Sequence, residues 1–439
     1  MGVLAKSLFG QPSSPIDSEL LGTLLADYPR RDFQIRLWDG TTWGAAKQPR
    51  FTLVLKHAGA LGAMFRSPSE LSLGEAYIYD DIDIEGDIES AFELADYLIG
   101  RERGLSESLD LNVQLQKLSA NDRPRAGLHP IKLWGSVHSK DRDQQAVTYH
   151  YDLPVEFYAL WLDQRMVYSC AYFATPEEDL DTAQLRKLDY ICKKLRLRPG
   201  ERLLDIGCGW GGLIMHAAAH YGVHAVGITL SVPQAELARQ HLRESGLNDR
   251  CRVEVSDYRD IDHDRQYDKI VSVGMFEHVG EALLPEYFRR AWDLLRPGGI
   301  FLNHGIAYSA TYRRRGPSFI DRYVFPDSDL VPISTSLRAA ELSGFEVRDV
   351  ESLREHYGLT LHHWLERLEA HAEDARRITD DITYRIWRLY MAGAAHRFRS
   401  GCLNVYQSLF AKPLRGESRL PLTREDWYPA THPTVICRR

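Results

Sequence analysis

From residue 185 onward, short apolar runs alternate with longer stretches whose apolar residues recur at helical spacing. Residues 202–206, 224–229, 252–255, 267–273 and 299–304 read as five strands. Stretches of crossover length between several of them predict a mostly parallel sheet with helices on both faces. The run Arg296-Pro297-Gly298-Gly299 reads as a turn that ends the helix before the fifth strand. Residues 356–412 are expected to be largely helical, and 420–439 to form an irregular tail.

Upstream the pattern is mixed. Residues 34–38 alternate apolar and polar, Asp39-Gly40 offers a hairpin turn, and 41–44 follow it. Residues 51–55 read as another strand, and 88–99 carry apolar residues at helical spacing. Residues 103–147 are polar, basic and turn-rich, with Pro124, Gly127 and Pro130, which predicts a linker with a broken helix. The expected division is an accessory region with linker at 1–125 and a larger α/β domain at 126–439.

A chain of 439 residues has room for two or three cores. Its formal charge of −7 gives no global case for nucleic-acid binding. No apolar run is long enough to span a bilayer, and the first residues lack a secretory apolar region. Six cysteines (170, 192, 208, 251, 402 and 437) include no Cys-x-x-Cys pair. The expectation is a soluble cytoplasmic protein without a metal site or disulfide framework.

The first strand of the larger domain runs into Asp205-Ile206-Gly207-Cys208-Gly209-Trp210-Gly211-Gly212, followed by a helical segment. Glycines at such a turn let backbone approach a nucleotide-like ligand closely. An acid directly before the turn, rather than about 20 residues later, favours S-adenosylmethionine over a dinucleotide. An ordinary strand–helix turn is the bland alternative. Asp257 and Tyr258 follow the third strand and suit an adenine amino group and ring, although Asp257-Tyr258-Arg259-Asp260 is also a common solvated-turn composition. Glu277 and His278 lie between glycines after the fourth strand, and His304 ends the fifth; a lone strand-end histidine is more often structural.

Taken together these residues resemble the cyclopropane-fatty-acyl-phospholipid synthases and mycolic acid cyclopropane synthases, which are S-adenosylmethionine-dependent lipid methyltransferases. The resemblance runs from Tyr149-His150-Tyr151-Asp152 through 166–173, the glycine turn, Gly227 to Ser231 with Gln234, the Glu277 motif, 319–326, and Tyr357 with Thr360-Leu361. Residues 74–77 and 83–87 resemble the N-terminal domain of the phospholipid-acting members. The resemblance implies a Rossmann-like class I methyltransferase domain with a mostly parallel sheet, plus a smaller α+β N-terminal domain that docks lipid or a partner subunit. It implies that Tyr168, Ser169, Asp205, Gly207, Gly209, Thr229, Leu230, Gln234, Asp257 and Tyr258 hold S-adenosylmethionine. It further implies a bound bicarbonate that acts as the base, held by Cys170, Glu277, His304, the backbone of Ile306, and Tyr357. Cys170 is alternatively a methyl-accepting nucleophile. The second strand carries no acid for the ribose hydroxyls, a lack the cyclopropane synthases share, which makes Gln234 a candidate for that contact. The implied partner is unsaturated phospholipid, met peripherally at the inner membrane face, with a homodimer as one assembly open to the chain. Arg313-Arg314-Arg315 and the basic stretch 101–125 read either as phosphate sites or as solvated loops.

Overall fold

The computed structural model describes residues 15–428 except 45, 58, 66–68, 102–112, 114–131 and 313–317. The boundary expected near 125 and the Arg313-Arg314-Arg315 run therefore lie outside the described residues, as does most of the basic stretch 101–125. The chain divides into two compact units. One comprises residues 1–132 together with 313–326 and 365–397; the other comprises 133–312, 327–364 and 398–439. The division is thus not a single cut along the chain.

The first unit is built on a four-stranded sheet of β1 (Phe33–Arg36), β2 (Thr42–Trp43), β3 (Phe51–Leu55) and β4 (Ile82–Gly86), in the order β2-β1-β3-β4. Its later segments are bound in by buried polar contacts. Arg385 donates to the carbonyls of Tyr77 and Ile82, at 2.8 Å each, and Arg388 donates to the Tyr77 hydroxyl at 2.8 Å. The Phe319 amide donates to Glu70 Oε1 at 3.1 Å, and a Cβ added at Gly74 would strike the Phe319 ring. Removing either later segment would leave these buried carbonyls and apolar faces uncovered.

The second unit holds a seven-stranded sheet. Its strands are β5 (Arg202–Ile206), β6 (His224–Thr229), β7 (Cys251–Val255), β8 (Tyr267–Val273), β9 (Leu295–Tyr308), β10 (Glu346–Ser352) and β11 (Leu403–Ala411). Their order is β10-β11-β9-β8-β5-β6-β7. The pairs from β9 through β7 are parallel, whereas β11 runs antiparallel to both β9 and β10. Helices Leu180–Leu195, Gly212–Tyr221 and Val232–Glu244 bury their apolar faces on one side of the sheet. Leu284–Leu294 and Ile333–Leu342 cover the other. Because both faces are covered, β5 and β6 are apolar almost throughout rather than alternating. The chain passes from β5 outward to β6 and β7 and then returns to β8 on the other flank of β5. That reversal opens a crevice at the carboxyl ends of β5 and β8, where open α/β sheets bind ligands.

Three expectations need correction. Residues 403–411 form β11 rather than a continuation of helix, and β10 was not foreseen. Residues 296–299 bulge within β9, whose register against β8 jumps between Tyr267↔Leu295 and Lys269↔Ile300. The linker with a broken helix expected over 103–147 ends in a helix, Lys140–Tyr151, that runs past its bound.

Candidate active site

The turn after β5 is fixed by its glycines. Gly207, Gly209 and Gly211 have φ of +85°, +53° and +86°, a region that side chains with a Cβ rarely adopt. The amides of Gly207 and Cys208 both donate to the Ile228 carbonyl, at 3.0 and 2.9 Å, which ties the turn to β6. A Cβ on Gly207 would lie 2.7 Å from the Met275 Cβ; one on Gly209 would meet nothing within 4 Å. Gly209 therefore borders empty space, and that space belongs to a cavity of this unit.

All ten residues expected to hold S-adenosylmethionine line this cavity. Asp205, Gly207 and Gly209 come from the end of β5 and its turn. Thr229, Leu230 and Gln234 follow β6, and Asp257 and Tyr258 follow β7. Tyr168 and Ser169 come from the segment ahead of helix Leu180–Leu195. Thr229 Oγ1 lies 2.9 Å from Gln234 Oε1 and donates to it. Asp257 is less free than its sequence suggested, because Arg259 grips it with Nε at 2.8 Å on Oδ1 and Nη2 at 2.6 Å on Oδ2. Arg259 also reaches Asp143 Oδ2 at 2.8 Å, joining this loop to helix Lys140–Tyr151.

Cys170, Glu277, His304 and Tyr357 are buried and Ile306 is half-buried, and the five form a second group linked through hydrogen-bonded neighbours. Glu277 Oε1 accepts from the Ile306 amide at 2.8 Å. His304 and Ile306 stand two apart on β9 and so share a face. Ile306 pairs with Val405 on β11, whose carbonyl takes the Leu353 amide at 2.8 Å. The Leu353 carbonyl in turn accepts from the Cys170 thiol at 3.7 Å and from the Tyr357 amide at 3.0 Å. None of these five lines the cavity, but Ser169 and His278, which do, are the chain neighbours of Cys170 and Glu277.

A family model described as mycolic acid cyclopropane synthetase matches residues 138–408. The chain belongs to the mycolic acid cyclopropane synthetase family. A domain of unknown function matches residues 20–97. A relative from Pseudomonas putida named probable fatty acid methyltransferase is 42% identical over 90% of this chain and 96% of its own length. The cyclopropane-fatty-acyl-phospholipid synthase of Escherichia coli K12 is 37% identical over 65% of this chain and 72% of its own. A crystal structure of a mycolic acid cyclopropane synthase complexed with SAH and CTAB superposes with a TM-score of 0.58 at 35% identity, covering 61% of this chain and 97% of that one. The fold is that of a class I S-adenosylmethionine-dependent methyltransferase.

In this member of the family, burial controls the charges. It raises Glu277 to about 7, against the opposing effect of the Ile306 amide, and leaves Oε2 without a partner. It lowers His304 to about 3, helped by the charges of Lys187 and Lys194, so the ring is neutral. The Gln407 side-chain amide sits 3.2 Å from His304 Nδ1; with that amide donating, the ring proton is on Nε2, which is buried without a partner. Burial also pushes the Cys170 thiol far above its ordinary range, which keeps it protonated and argues against a methyl-accepting thiolate.

Sequence reasoning missed Lys187, Arg259 and Gln407. Lys187 lines the cavity and donates to Ser169 Oγ at 2.8 Å. A signal was present: Gln184, Lys187 and Lys194 fall on the apolar face of helix Leu180–Leu195, with Leu180, Leu188 and Ile191. Gln407 carried no such signal, because it depends on the antiparallel pairing of β11 with β9.

Proposed function

We propose that this chain transfers the methyl group of S-adenosylmethionine to a cis double bond of an unsaturated phospholipid acyl chain and closes a cyclopropane ring. Attack by the alkene π pair on the methyl carbon breaks the S–CH3 bond, releases S-adenosylhomocysteine and leaves a carbocation on the other alkene carbon. Loss of a proton from the transferred methyl closes the ring, the C–H electron pair becoming the second new C–C bond. Water would capture such a cation, so the buried setting of the second group suits the step.

One observation carries the reading. Next to a cavity with an S-adenosylmethionine-type lining, His304 Nε2 and Glu277 Oε2 are both buried and unpartnered. A neutral imidazole offering N–H and a carboxyl titrating near 7 fit a small oxyanion that has both an acceptor oxygen and a hydroxyl, as bicarbonate has. Bicarbonate held there would supply the base for the methyl proton. His304 would orient it by donating from Nε2. Glu277, anchored by the Ile306 amide, would accept its hydroxyl proton or share one with it. Cys170 and Tyr357 would complete the enclosure.

The name of the Pseudomonas putida relative favours a second reading at the same site. There a hydride shift moves the charge to the methyl-bearing carbon, and proton loss from the methyl gives a methylene chain, reducible elsewhere to a methyl branch. Both readings have the protein work peripherally at the cytoplasmic face of a membrane; no helix among the described residues is long and apolar enough to cross one. The test is to incubate the protein with unsaturated phospholipid vesicles and labelled S-adenosylmethionine, then identify the modified chain by mass spectrometry and proton NMR. Ring-methylene signals are expected. Alkenyl CH2 signals would select the second reading, and no label in lipid would reject both.

A further inference from the structure

We infer that Lys187 is a positioning residue for the amino-acid end of the methyl donor, its ammonium taking the α-carboxylate while the Asp205 carboxylate takes the α-ammonium. This rests on the reading of the cavity as the S-adenosylmethionine site.

Lys187 is 1% exposed and Asp205 2%, and both line that cavity. A lysine is almost never buried to that degree without a charged partner, because taking an ammonium out of water is costly. Here the hydrogen bond shown from Nζ goes to a neutral hydroxyl, that of Ser169, and no salt bridge joins Lys187 to a carboxylate among the described residues. Asp163, whose charge acts on Lys187 more strongly than that of Asp205, is already committed. Its Oδ1 accepts from the Val167 amide at 2.7 Å and its Oδ2 from the Arg165 amide at 3.1 Å. Asp205 Oδ1 is buried with no partner at all.

One wall of the cavity thus presents a buried cation and a buried anion that feel each other's charge, yet neither is shown hydrogen-bonded to a charged group. An α-amino acid carries the two opposite charges on a single carbon, so one ligand group satisfies both. Desolvation draws Lys187 down to about 8 and Asp205 up to about 7, each against the opposing effect of the other's charge. Ser169 holds Nζ in place, and the adjoining Cys170 belongs to the second group. Fixing the amino-acid end through Lys187 and Ser169 would therefore set where the sulfonium methyl meets that group.

The experiment is calorimetric and needs no turnover. S-adenosylhomocysteine and 5′-methylthioadenosine share the nucleoside and thioether, and only the first has the amino-acid end. Lys187→Met is expected to weaken S-adenosylhomocysteine binding about 10- to 100-fold, the loss typical of a charge-assisted hydrogen bond, and to leave 5′-methylthioadenosine within about twofold. Lys187→Gln, which can still donate to Ser169 without a charge, should show the same selective loss. Equal weakening of both ligands, or no weakening of either, would overturn the assignment. Wild-type protein that bound neither ligand would overturn the cavity reading as well.

Discussion

Between the ordinary carboxylate range and pH 7, the folded chain holds a proton on Glu277 that the unfolded chain has released, because burial raises its pKa to about 7. The folded state therefore loses stability as pH rises through this window, and the penalty is complete above it. Glu277→Gln removes the titration. It is expected to unfold at higher urea than wild type at pH 8, by a few kcal/mol, with the difference closing toward pH 5. The same variant should form product about 10²–10³-fold more slowly, the usual cost of losing one partner of a charged catalytic group. His304→Gln should slow product formation comparably while leaving S-adenosylhomocysteine affinity unchanged. Stripping bicarbonate from the buffer should slow the wild type, and restoring it should recover the rate. Full rates in both variants with no bicarbonate dependence would remove these side chains from the chemistry and leave the fold as described.

At the scale of elements, the glycine turn separates two kinds of damage. Gly209 borders open space, so Gly209→Val should fill ligand volume and weaken S-adenosylhomocysteine binding roughly tenfold or more in calorimetry. Its melting temperature should fall only by the modest strain of a branched residue at φ +53°. Unchanged affinity would move the ligand away from the turn. The turn was legible because its signals are local: an apolar run, an acid, glycines at fixed offsets and a helical period after them. Residues 202–206, 224–229 and 267–273 were legible for the same reason, being fully covered strands with sharp ends. Residues 403–411 were not. They follow the helix Asp381–Arg399 without a proline, and 407–411 are buried at every position, so the strand period is hidden. The unread strand places Gln407 against His304, and with it the partner that sets the imidazole tautomer. A site assembled across strands distant in sequence has no short-range signature. The family motifs indicated candidate members, and the paired strands show which of them the fold links.

At the scale of the whole molecule, the formal charge of −7 provides no overall attraction to an anionic leaflet. Membrane contact of the kind proposed would then come from local features and from the acyl substrate itself. The protein is expected to co-sediment with unsaturated phospholipid vesicles and to modify them faster than dispersed free fatty acid. Equal rates on both without co-sedimentation would reject the lipid surface as its workplace. The division of the chain bears on something earlier in the protein's life. The first compact unit needs residues 365–397, which supply Arg385 and Arg388 to cap the carbonyls of Tyr77, Ile82 and Ile84. At ordinary synthesis speeds those residues leave the ribosome on the order of tens of seconds after residue 132. For that interval the nascent amino-terminal sheet waits half-dressed while the methyltransferase sheet is still being made. A chaperone's opportunity, and an aggregation hazard, are therefore written into the order in which the polypeptide is translated.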